Sequence, residues 1–224
     1  MLKTRAMEIH NFSKQSSVLN TFISEIRSID IQNDRMRFRR NIERIGEILS
    51  YEMSKILSSD SISVETPLGN SRLNVPKDDI VICSVLRAGL PFHNGILNYF
   101  DKAENAFISA YRHHLNSIDF EIIVEYIASP NLENKTLLLV DPMLATGQSL
   151  ALTFEALKSH AIPKQIHILS VIGAEPGVDY IKDKFPENTH LWIAAIDETL
   201  NEKGYIVPGL GDAGDLAFGE KLKN

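Results

Sequence analysis

The chain has 224 residues, 44% of them hydrophobic, which suits one domain with a sizeable core and is far from a disordered composition. A net charge of −6 with an isoelectric point near 5.7 gives no electrostatic case for nucleic acid or an anionic membrane as partner. A single cysteine excludes an internal disulfide and a cysteine metal cluster, no apolar run nears the ~20 residues of a membrane span, and the first residues carry no charged-then-apolar signal pattern, so a soluble cytoplasmic protein is expected.

Residues 1–15 are mixed and polar and read as an arm or an edge strand. Apolar spacing predicts a helix over 17–30, through Val18, Leu19, Phe22, Ile23, Ile26 and Ile29. A stronger helical stripe covers 34–57, with Asn33 or Asp34 as N-cap. Within it, Arg35 to Arg40 alternates basic and apolar residues, which fits a solvated helix face or an anion-facing or subunit-contact surface. Strands are predicted at 61–66, 79–85, 105–111, 119–127, 136–141, 165–172 and 190–196, with helices at 88–99, 148–160 and 176–184. Alternating strands and helices predict an α/β fold with a mostly parallel central sheet flanked by helices. The stretch 105–127 also reads as a hairpin. Cys83, inside an apolar run, reads as a small buried hydrophobe, and Trp192 as core. The tail 204–219 holds Gly204, Gly209, Gly211, Gly214 and Gly219 with Pro208, Asp212 and Asp215. It is too irregular for a helix or strand and reads as a loop that brings backbone close to a ligand.

Chemistry concentrates at four places. The run Thr136 to Val140 is a buried strand, and Asp141-Pro142-Met143-Leu144-Ala145-Thr146-Gly147-Gln148-Ser149 after it opens into a helix. Backbone N–H groups there have no intrahelical partner and converge on an anion. No glycine-lysine pair follows, so this is not a Walker loop. Its short length and two hydroxyls suit a phosphate monoester, with Asp141 at the strand end accepting from sugar hydroxyls or meeting a metal. The second place is Ser84 to Pro91, where Arg87 leaves a buried strand as a cation for a second anion. The third is Tyr111-Arg112-His113-His114, in which Arg112 is another cation candidate. The adjacent histidines read as solvated loop residues, because neighbours on a strand point to opposite faces and rarely share a metal. The fourth is the glycine-rich tail, whose backbone can pair with the edge of a base.

Together these pieces resemble the uracil phosphoribosyltransferase family, of the type I phosphoribosyltransferase fold. The match runs from about Val64 to Lys221 and is dense at Leu86 to Leu90, Asp141 to Gly147, Ala195 to Glu198 and Gly204 to Asp215. A weaker match includes Phe38-Arg39 and Tyr51-Glu52. The implied organisation is an N-terminal helical arm, 1–60, on a transferase domain, 61–224, in one structural unit. The implied substrates are phosphoribosyl pyrophosphate (PRPP) and uracil, with Mg2+ carried mainly by pyrophosphate and ribose oxygens rather than by a protein metal site. Residues Ala145, Thr146, Gly147, Gln148 and Ser149 would hold the 5′-phosphate, with Pro142, Met143 and Leu144 completing the donor site and Asp141 facing the ribose. Arg87 and Arg112 would contact the pyrophosphate, and a non-proline cis peptide is implied at Leu86–Arg87. Ile206, Gly211 and Ala213 would read uracil through backbone groups, with Asp212 near the reacting centre as the one general-base candidate.

The implied reaction is displacement at the anomeric carbon through an oxocarbenium-like transition state. Catalysis would come from in-line positioning and charge neutralisation, under a cover at 111–120 that excludes water. Similar enzymes are homodimers or homotetramers. The chain departs from the family at His113-His114-Leu115, where acidic residues are usual, at Gln148, where glycine is common, and at Leu216, where a basic residue is usual. Alternatives are a regulatory protein of this fold that binds pyrimidine nucleotide or RNA, and a transferase for another base.

Overall fold

The structure is a computed structural model that describes residues 7–114, 120–159 and 161–222. In chain order it opens with β1 (Glu8–Asn11), α1 (Val18–Arg27), α2 (Arg35–Ser54) and the hairpin β2 (Ser59–Thr66) and β3 (Gly69–Pro76). Then come β4 (Ile80–Leu86), α3 (Gly89–Leu97), β5 (Glu104–His114), β6 (Phe120–Ala128), β7 (Thr136–Val140) and the short β8 (Met143–Leu144). The chain closes with α4 (Gln148–Lys158), β9 (Gln165–Ala174), α5 (Glu175–Lys182), β10 (His190–Asp197), β11 (Thr199–Leu200), β12 (Ile206–Val207) and α6 (Ala213–Phe218).

The main sheet runs β1-β10-β9-β7-β4-β5-β6, with β8 pairing β9. All pairs are parallel except β5 with β6. The expected α/β architecture is therefore present, and 105–127 is the hairpin that its sequence allowed. The chain leaves β4 toward β5 on one side and returns as β7 on the other. The carboxyl ends of β4 and β7 thus flank a topological switch point, where ligands of open α/β sheets bind.

The central strands are buried on both faces, which is why they read as continuous apolar runs. One face carries α1, α2 and α3, with Leu19, Ile26, Phe38, Ile45, Phe92 and Ile96 packed against Ile82, Leu138 and Leu169 in one hydrophobic layer. The other face carries α4 and α5 through Phe154, Leu157, Val178 and Ile181. The helices start where their caps allow: Ser17 accepts from Leu19 N and Asp34 from Arg37 N.

Cys83 is buried and Trp192 lies in the core, as expected. Burial pushes the Cys83 thiol up to about 12, so it carries no thiolate chemistry near neutral pH. Two expectations fail. The tail contains the helix α6, because Asp212 caps its own downstream residues through Asp215 N at 3.0 Å. His113 and His114 end a strand rather than lying in a loop, paired with Glu121 and Phe120. The hairpin strand β3 went unread: Leu73 and Val75 alternate with polar residues, as Ile62 and Val64 do in β2, but two apolar residues make a short signal on an exposed hairpin. Among the described residues no helix is long and apolar enough to cross a membrane.

Candidate active site

Three segments meet at the carboxyl ends of the parallel strands. The first is the loop after β7. Asp141 is half-buried, and its Oδ1 accepts the N–H of Met143 at 3.1 Å. Its carbonyl accepts the hydroxyl of Ser170 on β9 at 2.7 Å, which fixes the strand exit. Pro142 O accepts the N–H groups of Val171 and Ile172, holding the loop to β9. Gly147 sits at φ 78 as the N-cap of α4 and offers no side chain to cap it. The Gln148 N–H donates to Thr146 Oγ1 at 3.4 Å and the Ala145 N–H to Met143 O at 3.0 Å; the remaining amides of the turn, with the hydroxyls of Thr146 and Ser149 nearby, form an anion cradle. Asp141, Met143 to Gly147 and Ser149 line a small cavity there. The cradle is packed tightly from behind: a Cβ on Gly177 of α5 would stand 2.0 Å from Ala145 O. Gln148 is half-buried at the first position of α4, where a side chain fits without a clash.

The second segment follows β4. The Leu86–Arg87 peptide is cis, as the resemblance implied. The Arg87 guanidinium is exposed and donates to Asp215 Oδ1 at 2.7 Å and to Gly219 O at 3.3 Å. The backbone of Arg112 lies in β5 opposite Ile122, and its side chain lies outside what is described, as do residues 115–119 of the expected cover at 111–120.

The third segment is the tail. Val207–Pro208 is cis, and Gly209 and Gly211 have φ of 59 and 97. Ile206 and Ala213 bury their side chains in the core. Asp212 Oδ2 accepts from Lys221 Nζ at 2.8 Å. Burial works to raise the Asp212 pKa, but Lys221 and the N–H groups of Asp215 and Gly214 outweigh it and hold the carboxyl below its ordinary value. Asp212 is thus a fixed negative charge and a weak proton acceptor. A cleft of about 340 Å3 runs from Gly211 and Asp212 past Leu216 to Gln32 and Arg35. Leu216, the position of the unusual apolar residue, is half-buried against this cleft and the core.

Two site-building residues were missed by sequence reasoning. Arg27, at the end of α1, makes a two-pronged pair with Asp197 at 2.8 Å on each prong and donates to Gly209 O at 3.1 Å. Gly209 N returns to Asp197 Oδ2 at 3.0 Å. This closed ring of charge-assisted hydrogen bonds clamps the turn after the cis proline. Arg39 of α2 donates to Ala217 O at 2.7 Å and lies over the ring of Phe218. The basic run on α2 therefore divides: Arg37 and Arg40 make surface pairs with Glu25 and Glu43, while Arg39 reaches the tail. Its place in the basic run and in the weaker Phe38-Arg39 match were the signals available.

Against known proteins, a family model described as uracil phosphoribosyltransferase matches residues 13–220. A curated uracil phosphoribosyltransferase from Porphyromonas gingivalis is 55% identical over 96% of this chain and 100% of its own length. One from Pyrococcus furiosus is 38% identical over 94% of this chain and 90% of its own. Among solved structures, a protein from Aquifex aeolicus superposes with a TM-score of 0.83 at 30% identity, covering 96% of this chain and 100% of that one.

Proposed function

The chain belongs to the uracil phosphoribosyltransferase family, and on that premise we propose that it transfers the phosphoribosyl group of PRPP to N1 of uracil, forming UMP and releasing pyrophosphate. The observation that carries this reading is the pairing, at one end of one sheet, of an uncapped anion loop beside a single acid with a clamped, glycine-rich loop that offers backbone.

In this reading the loop Ala145 to Ser149 holds the 5′-phosphate, through the amides from Thr146 onward and the Thr146 and Ser149 hydroxyls, while the Ala145 N–H stays on Met143 O. Asp141 orients the ribose hydroxyls. Ile206, Gly211 and Ala213 read uracil through N–H and C=O groups, since two of the three have buried side chains. Arg87, with Arg112, neutralises the leaving pyrophosphate. The donor's phosphates compete with Asp215 for the Arg87 fork, so donor binding exchanges one anionic partner for another. Asp212, ionised through its Lys221 pair, places negative charge near the cationic ribose of the transition state rather than removing a proton.

The residues present fit Mg2+ held largely by substrate oxygens. Asp141 offers one hard carboxylate donor beside the phosphate loop, and Pro142 follows where a second acid would be needed for a protein-built site. Bound there, Mg2+ would offset charge on the departing pyrophosphate. A homodimer or homotetramer in the cytoplasm completes the reading.

The test is pyrophosphate release and UMP formation by the purified chain with PRPP and Mg2+, using uracil, hypoxanthine or guanine as acceptor. Turnover with uracil and none with either purine is expected. Release that does not depend on uracil, or that hypoxanthine supports equally, contradicts the proposal.

A further inference from the structure

A second cluster lies at the opposite end of the sheet. His190 begins β10 and Asp197 ends it, so about 23 Å of strand separates the cluster from the base-loop clamp. β1 pairs parallel with β10, placing Glu8 opposite His190 and His10 opposite Trp192, and β10 places His190 opposite His167 of β9. The two-residue period of strands puts all five side chains on one face. There His10 Nε2 and His190 Nδ1 are 3.2 Å apart. The Glu8 carboxylate stands 3.9 Å from the first and 3.7 Å from the second. One ligand atom from each of the three residues falls within a 4.8 Å group.

We propose that Glu8, His10 and His190 form a site for one divalent cation of the zinc and nickel type, which staples the edge strand β1 to the sheet. Two imidazole nitrogens bound at about 2.0–2.1 Å to one ion stand roughly 3.3 Å apart at a tetrahedral angle and roughly 2.9 Å apart at a right angle. The observed 3.2 Å lies between these values. Two ring nitrogens this close need either a shared proton or a shared metal ion between them; the Glu8 carboxylate beside both suits either, and supplies the third donor that a metal site needs. Bringing Glu8 into range takes about half an ångström of movement in an exposed side chain. Two nitrogens and one carboxylate select borderline metals over Mg2+ or Ca2+, which prefer all-oxygen shells.

The rings are held by their surroundings rather than by the ion. His10 stacks on the Trp192 indole at 3.8 Å and 5°. His190 is backed by the ring of His167 at 5.1 Å. His167 is fully buried and accepts the Trp192 indole N–H on its Nδ1, so it lies behind the site as a neutral support and not as a ligand. A donor pair preset on paired strands binds without first ordering loose side chains.

The chain carries one tryptophan, and that tryptophan lies against His10, so it reports the site directly. Metal-free full-length protein is titrated with Ni2+, whose unpaired electrons quench a nearby indole, with Zn2+ as competitor and chelator reversal as control. The expected result is saturable quenching at one equivalent, reversed by chelator, and weakened at least about tenfold in His190→Asn. Glu8→Gln, an exposed change that leaves folding intact, is expected to weaken binding and to abolish the rise in Tm that Zn2+ gives the parent protein. His113→Asn with His114→Asn is expected to leave the quenching unchanged. UMP formation in His190→Asn and Glu8→Gln is expected to match the parent, which separates this proposal from the transfer reading. Linear, unsaturable quenching through the millimolar range, or equal affinity in the parent and both site variants, overturns it.

Discussion

The two loops at the carboxyl end of the sheet are built in different ways. The loop after β7, the phosphate loop of the proposed reading, is local: β7 delivers Asp141, a left-handed Gly147 turns the chain, and the first turn of α4 supplies the amides. Its packing support comes from Gly177 a short way downstream. The tail loop has little structure of its own, with a two-residue strand and a six-residue helix. It is held by arginines far away in sequence: Arg27 is 182 positions from Gly209, Arg39 is 178 from Ala217 and Arg87 is 128 from Asp215. An anion subsite can be local because unpaired amides at a helix start suffice for it. A base subsite made of flexible backbone needs outside anchors, since ordering each loop residue costs about 1–2 kcal/mol of backbone entropy. The N-terminal helices therefore help hold the tail loop, the base site of the proposed reading, although none of their residues was placed there by motif.

Changes at the junction of the two loops should have the largest effect. Arg87→Ala should lower kcat/KM about 10²–10³-fold, the size of losing one preorganised charge-stabilising donor, while the loss of its partly exposed pair with Asp215 should cost stability no more than about 1 kcal/mol. Steady-state kinetics beside a thermal melt measure both, and a loss under fivefold would count against the pyrophosphate role.

Next comes Gly177→Ala, which attacks the local loop alone. Its methyl would sit 2.0 Å from Ala145 O, so α5 or the cradle must move. The KM for PRPP should rise about tenfold or more, with a stability loss of about 1–3 kcal/mol, while uracil KM holds. Equal rises in both KM values would show that the two loops are not separable.

The smallest effect belongs to Lys221→Met. Burial then acts on Asp212 with less opposition, so its pKa rises. A carboxyl held below its ordinary value contributes stability that is present above about pH 3.9 and is lost as pH falls through the folded pKa. The acid limbs of both rate and stability should therefore move to higher pH, with the rate near neutrality changed about threefold at most, as for a partly exposed ion pair. An unmoved acid limb would remove Lys221 from the account.

The same contrast explains what could be read in the sequence. The phosphate loop was legible because strand, acid, glycine turn and helix lie in one uninterrupted string. The central strands were legible because burial on both faces makes them continuously apolar. Arg27 was not, since a basic residue near the end of an amphipathic helix looks the same whether it faces water or a loop folded in from the far end of the chain. β3 was not, because its alternation amounts to two apolar residues, Leu73 and Val75, followed at once by Pro76. The helix α6 was hidden by the glycines around it, although Asp212 three residues before Asp215 is a capping arrangement. The cluster of Glu8, His10 and His190 depends on pairing between strands at opposite ends of the chain, which spacing does not reveal.

The most direct measurement is the pair of KM values, for uracil and for PRPP, in Arg27→Met. Removing the fork leaves Asp197 and Gly209 without their anchor while the phosphate loop stays untouched. A tenfold or greater rise in uracil KM, with PRPP KM within about twofold of the parent, is predicted from the loss of a charge-assisted hydrogen-bond ring worth roughly 1.5–3 kcal/mol. An unchanged uracil KM, or a parallel rise in both, would contradict the assignment of a distantly anchored loop to the base and a locally built one to the donor.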